Sequence, residues 1–409
     1  MGFDSIRENK RESATFMAGH IEKVIKTFGK RPAGSEGEKK AAEYMGELLK
    51  PYADDIRLEP FPVYPAAFMG WIYISVSLYL IALAAYFFQP VASLVLFVVA
   101  TALMVGEFVM YKQVVDKLFV KKTSHNLYAV KHPTGEVHRR IIFSGHVDAA
   151  HEWTFNYHLG GKGYIAHVIT SFIGVFYFFI AIILCIANKY SQTPFLAANV
   201  ANILGYVCLA FVPLWIAMYF MWNEKIVVDG ANDDLTGCFM SIAVLKALKD
   251  QNVNLENTEV GVLITGSEEA GLRGATAFTK RHKGENKDVE TYIIAFDTMR
   301  DYDYMTIYHR DMTGMVKNSP EVVALLDEAC KDPDVNHPLP HGVVPFGASD
   351  AAAFSRGGFK AAAVAGQNPK YAPYYHNRRD TPDQMIPETF ALGLDIALAA
   401  IEAFDRDQK

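Results

Sequence analysis

The 409-residue chain reads as an α/β protein: a mixed central sheet flanked by helices, with four membrane-crossing helices inserted as two hairpins. Three observations point there. Apolar, β-rich runs alternate with helical patterns through the more polar stretches, as in a sheet covered on both faces. Acidic and histidine-bearing patches follow those runs directly, where open α/β sheets hold their sites. Four long apolar runs interrupt the polar part at two places. Hydrophobic residues make up 51% of the chain, charged residues only 21%, and mean hydropathy is +0.09. Part of the chain should therefore face something other than water.

Taken in order, MGFDSIRENKRES is charged with no apolar core behind it, so no signal peptide is expected. Thr15–Phe28 reads as a helix. Ser35-Glu-Gly-Glu38 forms a capping box that opens a second helix through GEKKAAEYMGELLK. Ile56–Val63 alternates weakly, as a strand does. Trp71–Phe88 and Val91–Met110 are apolar runs parted by Gln89-Pro90, and Glu107 is their only charge. Asn126–Lys131 and Arg140–Ser144 read as strands, the second leading into His146. Ile165–Ala187 and Ala197–Trp222 are a second, uncharged pair. A helix follows Gly237 to about Leu248. Thr258–Thr265 and Thr291–Phe296 are strands ending at Gly266-Ser-Glu-Glu and at Asp297.

Each apolar run is near the ~20 residues that cross a bilayer. The expected organisation is a soluble domain in three pieces, 1–67, 112–163 and 223–409, with hairpins at 68–111 and 164–222. Trp71, Tyr111, Tyr164 and Trp222 sit at the run ends away from the hairpin tips, where an interfacial belt is expected. Lys189 is the only basic residue at the tips. Arg57, Lys112, Lys117, Lys121, Lys122, Lys162 and Lys225 lie on the other side. That bias predicts a cytoplasmic soluble domain and a chain embedded in the lipid bilayer. A net charge of −6 argues against a nucleic-acid partner. Four cysteines without a CxxC pair argue against a disulfide framework or a cysteine zinc site. Oligomeric state is not encoded in these patterns.

Five patches carry chemistry: SGHVDA, GANDDLTG, GSEEAGLRG, IIAFDTM and YYHNRRDTPD. Residues two apart on an extended backbone point the same way, so Asp148 can accept a hydrogen bond from the non-ligating ring nitrogen of His146. Asp233 lies in a Gly-flanked turn suited to presenting both carboxylate oxygens to two metals. Asp234 supports that turn or caps the following helix. Glu268 and Glu269, adjacent acids at a strand end, repel one another unless a cation sits nearby. If Glu269 ligates that cation, Glu268 is left as a base facing its water. Asp297 would complete one metal and His376 the other. His337 and His341 are spare candidates among thirteen histidines.

The ordered set resembles the two-zinc aminopeptidases of metallopeptidase family M28, a family that also contains glutamate carboxypeptidase and a non-catalytic receptor ectodomain. RPAGSEGEKKAAEYM, GSEEAGLRGA and YHNRRDTPD extend the likeness across the soluble part. The resemblance implies a zinc exopeptidase-like fold and two zinc ions, although manganese or cobalt could occupy such ligands. It implies one zinc on His146, Asp297 and Asp233, and the other on Glu269, His376 and Asp233. It implies Glu268 as general base and then general acid; Asp148, through its bond to the His146 ring, is the second catalytic candidate. About 80 residues between Asp297 and His376 leave no room for the dimerisation insert of related families. ASDAAAFSRGG has Ala351 where the family often carries histidine, which bears on substrate preference.

Three functions stay open at this point. The first is an aminopeptidase acting on peptides. The second is a carboxypeptidase or amidohydrolase acting on acylated amino acids or other amphiphiles, for which Arg356, Arg378 and Arg379 offer carboxylate partners. The third is a non-catalytic membrane scaffold or receptor. The hairpin between His146 and Asp233 suggests a site near the bilayer surface and apolar or amphiphilic substrates. His151, Trp153, Phe155 and His158 are candidates to line its access, and Tyr375 adjoins His376.

Overall fold

The computed structural model describes residues 10–197, 199–284, 289–368 and 372–406. Met1–Asn9, part of the charged N-terminus read above, lies outside them. The elements in order are α1 (Lys10–Phe28), α2 (Glu36–Leu49), β1 (Asp55–Val63), α3 (Ala67–Tyr86), α4 (Pro90–Met104), β2 (Lys122–Lys131), β3 (Arg139–His146), β4 (His151–Trp153), α5 (Thr154–Tyr190), α6 (Val200–Cys208), α7 (Val212–Met218) and β5 (Trp222–Val227). There follow α8 (Thr236–Asp250), β6 (Thr258–Thr265), α9 (Arg273–His282), β7 (Glu290–Met299), β8 (Met305–Asp311), β9 (Val316–Lys317), α10 (Pro320–Lys331), β10 (His341–Val343), α11 (Asp350–Gly357), β11 (Lys360–Gly366) and α12 (Pro387–Arg406). They form two compact units.

The first unit comprises Met1–Pro65, Lys121–His151 and Val227–Lys409. Its sheet runs β1-β2-β6-β3-β7-β11-β8-β10, with β9 paired to β8. The central strands β6, β3, β7 and β11 are parallel, while β1, β2 and β8 join antiparallel. This is the expected mixed α/β sheet. β6 is buried along its whole length, which is why TEVGVLIT shows no polar alternation. Alternation instead splits β2: Leu127 and Ala129 join the main core with Ile21, Met45, Phe239, Leu326 and Phe390. Tyr128 points to the other face, against Phe278 of α9. Ser35 accepts the Glu38 N–H at 3.1 Å, as the capping box predicted. The Glu38 carboxylate, however, turns to the Gly34 N–H and to the hydroxyls of Ser124 and Ser267.

The second unit comprises Ala66–Val120 and Glu152–Ile226, and among the described residues holds four helices long and apolar enough to cross a membrane. They run Ala67–Tyr86, Pro90–Val109, Thr154–Tyr190 and Val200–Met218. The third starts at Thr154, well before the expected boundary at 164. Its first turns are joined to the apolar part across a break at Gly160 (φ 68, ψ 172). Tyr79, Phe97, Phe178 and Trp215 form the interior of the bundle. Only 28% of the apolar window in Thr154–Tyr190 and 17% of that in Val200–Met218 is buried. Val95, Val98, Ile169, Ile173, Phe176 and Ile203 are left exposed, far more apolar surface than a water-soluble unit leaves open. One expectation is corrected here. Trp71 and Tyr164 do not face outward as belt residues but are buried, against Phe108 and Trp153 respectively. The break at Gly160 folds Trp153 back onto Tyr164, and ring burial inside the unit takes the surface that a headgroup layer would have covered.

Candidate metal centre

Parallel register brings the site together. His146 ends β3 beside Thr265 of β6, and Asp297 of β7 lies beside Ala365 of β11. Three strand ends thus deliver His146, the Glu268-Glu269 pair and Asp297 to one edge of the sheet. The backbone turns sharply around them: Ser267, Thr298 and His376 have φ of 56, 49 and 48, conformations held only where the surroundings enforce them.

Asp233 is the centre of the arrangement. One oxygen lies 3.2 Å from His146 Nε2, the other 3.1 Å from His376 Nε2. His376 Nε2 is also 3.3 Å from Glu269 Oε1. Three groups have donor atoms within 4.8 Å of one another: His146–Asp233–Asp297, Asp233–Glu269–His376 and His146–Glu268–Glu269. The first two share Asp233 and match the two ligand sets implied by the sequence.

The donor set fits cations. Asp233 Oδ2 and Glu269 Oε1 are buried and accept no hydrogen bond. Burial pushes Asp297 up to about 7, helped by the charge of Asp233, and raises Glu268 well above and Glu269 above the ordinary carboxylate range. Packing four carboxylates without compensation is costly, and two divalent ions reverse that sign.

The surrounding residues hold the ligands. The Asp148 carboxylate accepts the backbone N–H groups of Glu268 at 2.9 Å and Glu269 at 3.0 Å. The expected side-chain bond to His146 is looser: Nδ1 lies 3.5 Å from Asp148 Oδ1 and 3.2 Å from its backbone carbonyl. Two well-aligned amides compete for the same carboxylate, and they win. Asp234 accepts the N–H groups of His146 (3.0 Å), Gly237 (2.9 Å) and Thr298 (3.2 Å), so it caps α8 and ties β3 to β7. Tyr375 stacks on the His376 ring at 3.9 Å.

Several named residues lie elsewhere. His151 begins β4. Trp153, Phe155 and His158 belong to the helical unit, packed on Tyr164, His167 and Tyr157. His337 contacts Tyr302 and His341 contacts Asp327, apart from the ligands. Arg378 and Arg379 are exposed beyond His376, Arg356 meets Met312, and Ala351 is fully buried in α11.

Asp380, Arg31 and Glu38 were not singled out from the sequence as site residues. Asp380 accepts Asn232 N–H (2.9 Å) and Nδ2 (2.7 Å) and the Asp233 N–H (3.2 Å), fixing the turn that carries the shared carboxylate. Arg31 donates to the carbonyls of Val147, Asp229 and Gly230 and bridges the strand-end and turn segments. The signal was present: Asp380 sits in the last motif, and Arg31 and Glu38 in the first conspicuous one.

Residues 218–401 match the family model described as Peptidase family M28. No curated protein matches the chain by sequence. Among solved structures, the LapA aminopeptidase of Legionella pneumophila superposes with a TM-score of 0.56 at 11% identity, covering 100% of this chain and 76% of that one. A zinc aminopeptidase from Bacillus subtilis gives 0.54 at 14% identity, covering 95% and 94%. A glutaminyl cyclase from an Acidobacteriales bacterium gives 0.54 at 12% identity, covering 97% and 95%. These likenesses establish a shared fold, and the fold is therefore compatible with more than one reaction.

Proposed function

Because the chain belongs to peptidase family M28, matched over residues 218–401, we propose that it is a membrane-embedded zinc exopeptidase that removes N-terminal residues from peptides. The supporting observation is the division of Asp233 between two histidines, with Asp297 and Glu269 as further donors and Glu268 left over. His146, Asp233 and Asp297 would hold one ion, and Asp233, Glu269 and His376 the other. Zinc supplies Lewis acidity toward the scissile carbonyl and acidifies a water toward a pKa of ~7.

The chain's own residues do the rest. Glu268, buried but Oε2 4.0 Å from His146 Nε2, takes the proton of the attacking water and returns it to the leaving amine. Asp148 aims Glu268 and Glu269 together by holding both their amides. The surplus of carboxylates suits a free α-ammonium group. It suits a substrate carboxylate less, since Arg378 and Arg379 are exposed beyond the buried His376. The four apolar helices support an anchor in a bilayer, and the lysine bias supports a soluble unit on the cytoplasmic side. Asp148 is six residues from the start of α5, a tether that favours apolar or amphiphilic substrates.

A second reading, an amidohydrolase of acylated amino acids, is favoured by the exposed apolar helices and uses the same ligands. Mass spectrometry of a peptide mixture decides between them, with each peptide carrying a free or an acetylated N-terminus and detergent-purified, zinc-loaded protein as catalyst. Stepwise loss from free N-termini alone is expected. The Glu268→Gln protein should lose roughly 10²–10⁴ of the rate while keeping its zinc. Deacylation would move the function to the second reading. Loss of residues in the Glu268→Gln protein at the parental rate would remove Glu268 from the chemistry.

A further inference from the structure

Tyr164, His167 and Ser171 follow one another at i, i+3 and i+7 on α5, so they share one face of the helix. Tyr164 is 8% and Ser171 6% exposed. The Tyr164 hydroxyl, the Ser171 hydroxyl and His167 Nε2 are all buried with no hydrogen-bond partner among the described residues. Trp215 lies beside this face, its indole N–H donating to the Ser171 carbonyl rather than to the hydroxyl. The break at Gly160 lays two aromatic rings over the same stretch: Trp153 on Tyr164 at 5.0 Å and Phe155 on His167 at 4.7 Å.

An unmet buried polar group costs about 1–3 kcal/mol, and three on one helical face imply a shared occupant. We propose that this face is a binding site for the amide group of an amphiphile, with its hydrocarbon chain along the bundle. The chemistry selects that class. Tyrosine, serine and neutral histidine each donate and accept, which complements an amide, itself both donor and acceptor. Lys162 lies two residues before Tyr164 on α5, a spacing that turns it to another side of the helix, and the three groups themselves carry no lysine or arginine to call for an anion. Trp153 and Phe155 supply apolar walls for the chain next to the amide. The site deepens the reading of amphiphilic substrates and rests on it for its purpose, but not for its chemistry.

The test uses the full-length Glu268→Gln protein in phosphatidylcholine nanodiscs, so no turnover is needed. 2-Bromododecanamide is the probe, and its bromine quenches tryptophan fluorescence on contact. Saturable quenching is expected, displaced by dodecanamide but not by dodecane. Tyr164→Phe with Ser171→Ala should weaken it at least tenfold, with unchanged melting temperature. Tyr206→Phe, at a ring 59% exposed on the same bundle, should leave it unchanged. Non-saturable quenching, or equal quenching in the double variant, overturns the site. Saturable quenching combined with no peptidase activity in the parental, zinc-loaded protein would sink the peptidase reading alone, and parental peptidase activity without saturable quenching would sink this site alone.

Discussion

Asp380→Ala removes the acceptor for three donors, two of them amides of the Asn232–Asp233 turn. Left unpaired in a buried turn, they should let Asp233 swing. The expected result is a loss of ~10–100-fold in zinc affinity, the usual effect of removing a residue that braces a ligand. Titration with a competing chelator reads it, and an unchanged affinity would show that the turn holds itself. The five candidate ligands could be picked out in the sequence: His146, Glu269 and Asp297 follow apolar strands, Asp233 lies in a Gly-flanked turn and His376 in an aromatic, polar loop. Asp380, Arg31 and Glu38 lie inside conspicuous motifs, but their roles were not legible, because they act through backbone groups, and for Glu38 also the Ser124 and Ser267 hydroxyls, that only the folded chain brings near. A different residue gives a pH signature remote from the metals. His132 is pulled down by burial, but Glu259 and Asp55 overcome this and raise it above 6.5. Its stabilising contribution should be present in full below about pH 6.5 and fade as pH rises through the raised folded value. Thermal melts of His132→Gln against the parent should converge toward alkaline pH; a gap that widens there would contradict the assignment.

At the scale of elements, the crossing of β3 with the start of α8 is the tightest point. A Cβ on Gly145 would lie 2.5 Å from Cys238 N and Gly237 C and 2.9 Å from Asp234 Oδ2, so the strand passes the helix N-terminus only as glycine. Gly145→Ala should destabilise the sheet unit by at least about 1–3 kcal/mol and reduce bound zinc, since His146 and Asp234 shift with the backbone. Gly19→Ala, in α1 with nothing within 4 Å, should raise the melting point slightly. Equal melting points for the two variants would mean that β3 has slack. The elements up to Asp297 were readable from periodicity except β4, β5 and α9, whereas β8 to β11 and the last helices were not. β11, KAAAVAG, shows why. Alanine favours helix locally, yet Ala361–Ala365 are buried between β7 and β8, where small side chains let both faces of the sheet close. Tertiary packing reverses the local preference, and no pattern within seven residues reveals it.

At the scale of the whole molecule, the two largest hydrophobic cores among the described residues share no residue, one under the sheet and one inside the helical bundle. With the helices crossing a bilayer as proposed, they would answer to different solvents. The helical core is closed by Gly174 under Phe211 and Gly205 under Tyr86 and Phe87, close approaches typical of helices that pack without a hydrophobic drive from water. The sheet core is closed at its site edge by the buried carboxylates of the candidate metal centre. Calorimetry in mild detergent should therefore show two transitions with separate sensitivities. A chelator should lower the sheet transition: a site held at 1,000 times its dissociation constant contributes ~4 kcal/mol, roughly 10 °C for a unit of this size. The helical transition should ignore the chelator and shift when the detergent chain is shortened or when Gly174→Leu separates the helices. Metal and lipid would then act on the same chain through independent equilibria. If both transitions move together under the chelator, the two cores unfold as one and this independence is lost.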